Sequence, residues 1–163
     1  MKKAMACAWV LVLLVICLTE AHAAKKEGPK EAWVMCQPDS EVCVRAFPKK
    51  SADVVARVCP GDHIVLSGKK RGRWYHCIHP CEPGEGWIRG DFLSFTEPEI
   101  YPEGKAFDTL CGKLYARFSI NGNKRVTLKK GVRVIVYMMA EEWSVTNKGY
   151  IMTKYLEEAA PDE

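Results

Sequence analysis

Between His76 and Cys81 the chain packs two histidines and two cysteines into six residues, inside the stretch WYHCIHPCEPGEGW (Trp74–Trp87). Such a set could attach haem, bind zinc, supply a thiol nucleophile with its base, or close a loop with a disulfide. Haem attachment needs C-x-x-C-H, and Cys77-Ile78-His79-Pro80-Cys81 has neither that spacing nor the trailing histidine. Thiolates at 77 and 81 with His76 or His79 would suit zinc by ligand type. Structural zinc sites usually draw ligand pairs from separate segments, however, and beyond the N-terminal leader the one further histidine is His63, in DHIVL. A nucleophilic cysteine needs an electropositive pocket and a base from another strand. Alternate side chains of a strand point to opposite faces, so with Cys77 inward His76 points outward, and the two neighbours cannot pair. The pattern therefore argues against catalysis, a metal or any cofactor, and for a stapled loop. A Cys77–Cys81 clip would be worth about 2 kcal/mol for so small a ring. Cys36 and Cys43 flank QPDSEV and suit a second local clip, leaving Cys59 and Cys111 to join two units. Sequence alone does not choose among the pairings.

The disulfide reading rests on the compartment. Lys2 and Lys3 precede an uncharged apolar run from Ala4 to Leu18, followed by Ala21-His22-Ala23. A basic head, a short apolar core and an A-x-A site form a secretory signal peptide over 1–23. The core is short for a membrane span, and no later segment is long and apolar enough to be one. Cys17 is not a lipid-anchor site, because Ile16 stands where a small residue is required. Cleavage after Ala23 leaves 163 − 23 = 140 residues, 8 − 2 = 6 cysteines and a charge of +4 − 1 = +3. An even cysteine count in an exported chain reads first as disulfides. The expected location is the periplasm or the cell exterior. A charge of +3 tolerates an anionic envelope surface and fits nucleic acid poorly.

The elements that would carry these residues occur twice. Arg45 aligns with Arg117, Gly61 with Gly131, Trp74 with Trp143, and GWIRGDFL (86–93) with GYIMTKYL (149–156). The offset falls from 72 residues to 63, mainly through six extra residues between Trp74 and Gly86, where the cysteine–histidine cluster lies. DHIVL and VRVIVYM are rich in β-branched residues, and turn formers (PGD, KKG) precede them. No helical periodicity is present. The expected fold is all-β, with two tandem small β-barrels spanning 30–95 and 107–157. TEPEIYPEGK, within 96–106, reads as an extended connector, and 158–163 as a tail.

Val44, Arg45 and Pro48, then Pro60-Gly61 before an apolar strand, Trp74-Tyr75 before another, and G-W-I-x-x-x-F-L resemble the bacterial SH3 (SH3b) domain. The second copy departs further: Tyr115-Ala116-Arg117 replaces N-V-R, the loop proline is missing, and Tyr150 replaces the tryptophan. The resemblance implies two SH3-like barrels covering nearly all of the mature chain. It also implies a non-catalytic adaptor for cell-wall peptides, glycans or protein partners.

Large aromatics sit at strand ends in both copies. Barrels this small need such side chains in their cores. Trp74 and Trp143, each following a polar loop, could instead line a groove, with Trp87 and Tyr150 nearby and Trp33 covering a barrel edge. SGKKRGRW places Lys69, Lys70, Arg71 and Arg73 in one hairpin, either a solvated turn or a contact for anionic polymer. Two function classes follow. One is a binding module for peptidoglycan or another envelope ligand, read through Trp74, Arg73, Lys70, Arg71, Trp87, Trp143 and Tyr150. The other is an adaptor or inhibitor-like partner of another exported protein.

Overall fold

The computed structural model describes residues 30–79 and 85–160. The segment expected as a signal peptide (1–23), Cys81 and the final three residues lie outside that range. Fourteen strands form two seven-stranded antiparallel sheets, and no α-helix occurs among the described residues. The first sheet holds β1 (Lys30–Val34), β2 (Val42–Arg45), β3 (Val54–Val58), β4 (His63–Arg71), β5 (Trp74–His79), β6 (Gly86–Arg89) and β7 (Leu93–Ser94). The second holds β8 (Glu99–Thr109), β9 (Leu114–Arg117), β10 (Lys124–Leu128), β11 (Arg133–Met139), β12 (Trp143–Thr146), β13 (Gly149–Met152) and β14 (Leu156–Glu158). Their strand orders, β3-β2-β6-β5-β4-β1-β7 and β10-β9-β13-β12-β11-β8-β14, are the same order shifted by seven. The internal repeat is thus a repeat of topology. Among the described residues no helix is long and apolar enough to cross a membrane.

Local chemistry explains the match. In β11 the buried residues Val134, Val136 and Met138 alternate with more exposed neighbours, the period-two pattern of a half-buried strand. Gly61 and Gly131 occupy the same turn of each unit at φ +84° and +76°, which a side chain would strain. Arg45 Nη1 donates to the Ala52 carbonyl (2.6 Å) and Arg117 Nη1 to that of Gly122 (2.9 Å), so the paired arginines pin equivalent loops. Each unit also places a 3-10 turn, Gly90–Phe92 or Thr153–Tyr155, directly before its last strand.

The stretch expected as a connector is largely strand. β8 begins at Glu99 and pairs with β11 along its length. Its register jumps from Val136↔Lys105 to Met138↔Ile100, leaving the segment with Pro102 in a bulge. There the missing proline N–H interrupts no regular ladder.

The first unit buries Ala32, Val34, Val44, Ile64, Leu66, Cys77 and Ile88. The second buries Phe107, Ala116, Val134, Val136 and Ile151. A third cluster joins them: Met35 of the first unit packs with Ile120, Met138, Ala140, Val145 and Tyr150 of the second. Tyr150 Oη donates to the Met35 carbonyl (2.7 Å), Gln37 Nε2 to that of Thr146 (3.1 Å), and the Ile120 N–H to that of Asp91 (3.1 Å). The two units are therefore docked through a buried, hydrogen-bonded contact.

Candidate functional site: a groove at the junction of the two units

The β4–β5 hairpin carries Lys70, Gly72, Arg73 and Tyr75 to one wall of a groove of about 430 Å³. The turn after β6 adds Asp91, and β7 with the segment after it adds Ser94, Phe95 and Thr96 to the same side. Ile120 and Asn121, with Glu141 and Glu142 from the turn between β11 and β12 and Trp143 at the start of β12, form the facing wall. Tyr75 and Phe95 meet edge to face at 5.6 Å, and Lys70 Nζ lies 4.7 Å from the Tyr75 ring centroid. A Cβ at Gly90 would come within 2.5 Å of the Tyr75 ring, so the missing side chain lets that ring pack against the turn. The Gly90 N–H donates to the Arg73 carbonyl (2.8 Å), tying hairpin and turn together. Across the groove, the Glu141 N–H donates to Thr96 Oγ1 (3.4 Å).

Asp91 is the unusual member. It is only 1 % exposed, and its Oδ2 is paired with Arg89 Nη2. Its Oδ1 is buried without a hydrogen-bond partner, although Arg73 Nη1 stands 3.6 Å away. Burial, followed by the charge of Arg73, lowers the pKa of Arg89 below its ordinary value. This polar centre faces aromatic rings and has acid on the opposite wall. That combination suits reversible binding of a small charged ligand.

The expected ligand residues divide. Arg73, Lys70 and Trp143 converge on the groove. Trp74 does not line it: in the ladder it stands opposite Arg71 and Arg89, and strand alternation gives the groove to its neighbour Tyr75. Arg71 is exposed at the end of β4 and does not line the groove either. Trp87 is half-buried and packs edge to face on His76 at 5.0 Å. Tyr150, at 3 % exposure, belongs to the core between the units. Trp33 packs tilted against the His63 ring, centroids 5.1 Å apart.

Around the opening cluster, Cys77 faces the core and donates to the Gly86 carbonyl (3.4 Å). His76 takes the other face yet is buried, held by Ser67 Oγ at Nδ1 (3.0 Å), Glu85 Oε2 at Nε2 (3.2 Å) and the Trp87 ring. Cys36, Cys43, Cys59 and Cys111 carry free thiols, so the Cys36–Cys43 clip and the Cys59–Cys111 link expected from the sequence are not formed. Cys36 is buried and donates to the Ser40 carbonyl (3.5 Å), whereas Cys43 alternates away from the buried Val42 and Val44, towards Arg57. Burial first, then Cys59 and Asp62, push the Cys36 thiol up to about 12. Cys81, half of the expected Cys77–Cys81 clip, lies outside the described residues. Among those residues no three His, Cys, Asp or Glu side chains gather as a metal site.

Sequence reasoning missed Tyr75, Asp91, Phe95, Glu141 and Glu142. The repeat held one signal for Asp91: the aligned position of the second copy is Lys154, and Arg89 aligns with Met152. The second copy therefore lacks the buried ion pair.

No known family profile matches the chain, and no curated protein does. Among solved structures it is similar to NlpC1 and NlpC2 from Trichomonas vaginalis, at 14 % and 13 % identity and TM-scores of 0.30 and 0.31. The overlays cover 84 % and 83 % of this chain but 48 % and 50 % of those proteins, so the chain spans about half their length. Likeness at this level carries no inference about activity.

Proposed function

We propose that the chain is an exported, non-catalytic binding module of the cell envelope, built from two SH3b-like units, whose ligand is a peptidoglycan peptide. The junction groove is the observation that carries this reading: rings from both units and charges of both signs line one recess of peptide size. The SH3b assignment is supported by the Val44-Arg45-Pro48 and GWIRGDFL motifs and by the identical strand order of the two copies. Export is supported by the leader over 1–23. A rigid junction suits binding, because a preformed groove loses little conformational entropy when a ligand enters.

A second reading, an adaptor for another exported protein, is favoured by Phe47 and Phe118. Each is 63 % exposed in the corresponding loop of its unit, two residues after Arg45 and one after Arg117. Exposed aromatic residues are common anchors in protein interfaces. Co-sedimentation with purified cell wall, set beside pulldown from an envelope protein extract, tests the choice. The wall-peptide reading requires saturable retention on the wall that soluble stem peptide competes away. Retention of one stoichiometric protein, with no binding to wall, would establish the adaptor instead.

A further inference from the structure

The groove's polar centre specifies a kind of head group. Asp91 contributes one negative charge, while Arg73 and Arg89 contribute two positive charges beside it. A lone ammonium reaching Asp91 would meet this positive excess, and a lone carboxylate reaching Arg73 would meet Asp91. A ligand with both groups on neighbouring atoms satisfies both. The Asp91 Oδ1 atom already lacks a donor, and a buried acceptor left unpaired costs about as much as a lost hydrogen bond. Arg73 stands beyond hydrogen-bond distance from it, and its side chain is 63 % exposed, so it is free to swing towards a ligand. Guanidinium is also the side chain best shaped to grip a carboxylate through two parallel bonds.

We propose that the groove takes a ligand bearing an ammonium and a carboxylate on one carbon, the head group of an α-amino acid. Arg73 holds the carboxylate and Asp91 Oδ1 accepts from the ammonium. The rest of the ligand lies against Tyr75, Phe95 and Trp143, while Glu141 and Glu142 on the facing wall disfavour further carboxylates. This rests on the groove being the ligand site of the envelope-binding reading, and it narrows that ligand. Among wall peptides, a stem whose diamino acid keeps a free ammonium–carboxylate centre fits, and a stem whose side chain ends in a bare ammonium does not. A free α-amino acid has the same head group.

Calorimetric titration of the full mature chain separates these sources. The probes are a tripeptide stem ending in meso-diaminopimelate, the same stem ending in lysine, and free phenylalanine. The diaminopimelate stem is expected to bind at least about tenfold more tightly than the lysine stem, the scale of one charge-assisted hydrogen bond. Arg73→Gln, at an exposed position, should abolish that preference without affecting folding, as should Asp91→Asn where it folds. Equal binding of both stems to the wild type, or a preference that survives Arg73→Gln, overturns the head-group assignment and leaves wall binding standing. Binding of phenylalanine while both stems are silent supports the head group and removes the wall reading. Silence from all three probes removes both.

Discussion

Tyr150→Phe deletes one oxygen atom and isolates one interaction between the two units. In the wild type Tyr150 Oη donates to the Met35 carbonyl at 2.7 Å inside a cluster that excludes water. Removing the hydroxyl leaves that carbonyl without this donor while the ring still fills its space. The expected cost is about 2 kcal/mol, within the range for a buried group left unpaired. For a chain of 163 residues this lowers the melting temperature by roughly 4–8 °C. The variant also carries a pH signature. Burial first, then Cys36, raise the Tyr150 pKa above the ordinary 10.0, so the folded state keeps a phenolic proton that the unfolded chain releases. The associated stability is complete below pH 10 and declines as pH rises beyond it. Tyr150→Phe should flatten that alkaline decline. Urea denaturation followed by far-ultraviolet circular dichroism and tryptophan fluorescence, at pH 8 and at pH 10.5, measures both effects. A loss below about 0.5 kcal/mol with an unchanged alkaline slope would refute a buried hydrogen bond between the units.

Gly149 sits at φ +118°, and a Cβ there would meet the Arg117 carbonyl oxygen at 2.4 Å. Gly149→Ala should therefore cost about 2–3 kcal/mol in thermal denaturation, and a neutral result would contradict the placement of β13 against β9. With its thiol near 12, buried Cys36 should resist iodoacetamide at pH 8, while exposed Cys59 reacts first in mass spectra. Equal rates, or an oxidised pair in non-reduced protein, would contradict the free-thiol arrangement. Arg45→Ala removes the donor to the Ala52 carbonyl and should cost about 1–2 kcal/mol in denaturant titration, with Arg117→Ala costing a similar amount in the second unit. A cost at one arginine alone would break the equivalence of the two loops.

The repeat was legible because it is written in short-range signals. The aligned arginines, turn glycines and terminal G-W-I and G-Y-I motifs each act within their own unit, and the units share one strand order. The opposite facing of Cys77 and His76 also follows from strand alternation alone. The burial of His76 does not, since Trp87 and Glu85 come from across the next turn to cover it. Pro98, Pro102 and Gly104 resembled a linker, yet a strand accepts them where a bulge breaks the register. The groove was hidden for a different reason. It arises where two copies dock, and no pattern inside either copy encodes the facing of Glu141 and Trp143 towards Tyr75 and Asp91. Trp74 was the natural candidate by residue type, and one step of alternation passed the groove to Tyr75.

On the proposed reading, ligand binds at the junction and not at the outer face of the first unit. Stem-peptide titration of folded Trp143→Ala and Trp74→Ala beside the wild type distinguishes the two faces. Trp143→Ala should weaken binding by about 2 kcal/mol, roughly 30-fold, and Trp74→Ala should bind like the wild type. Loss of binding in Trp74→Ala with Trp143→Ala unaffected would contradict it.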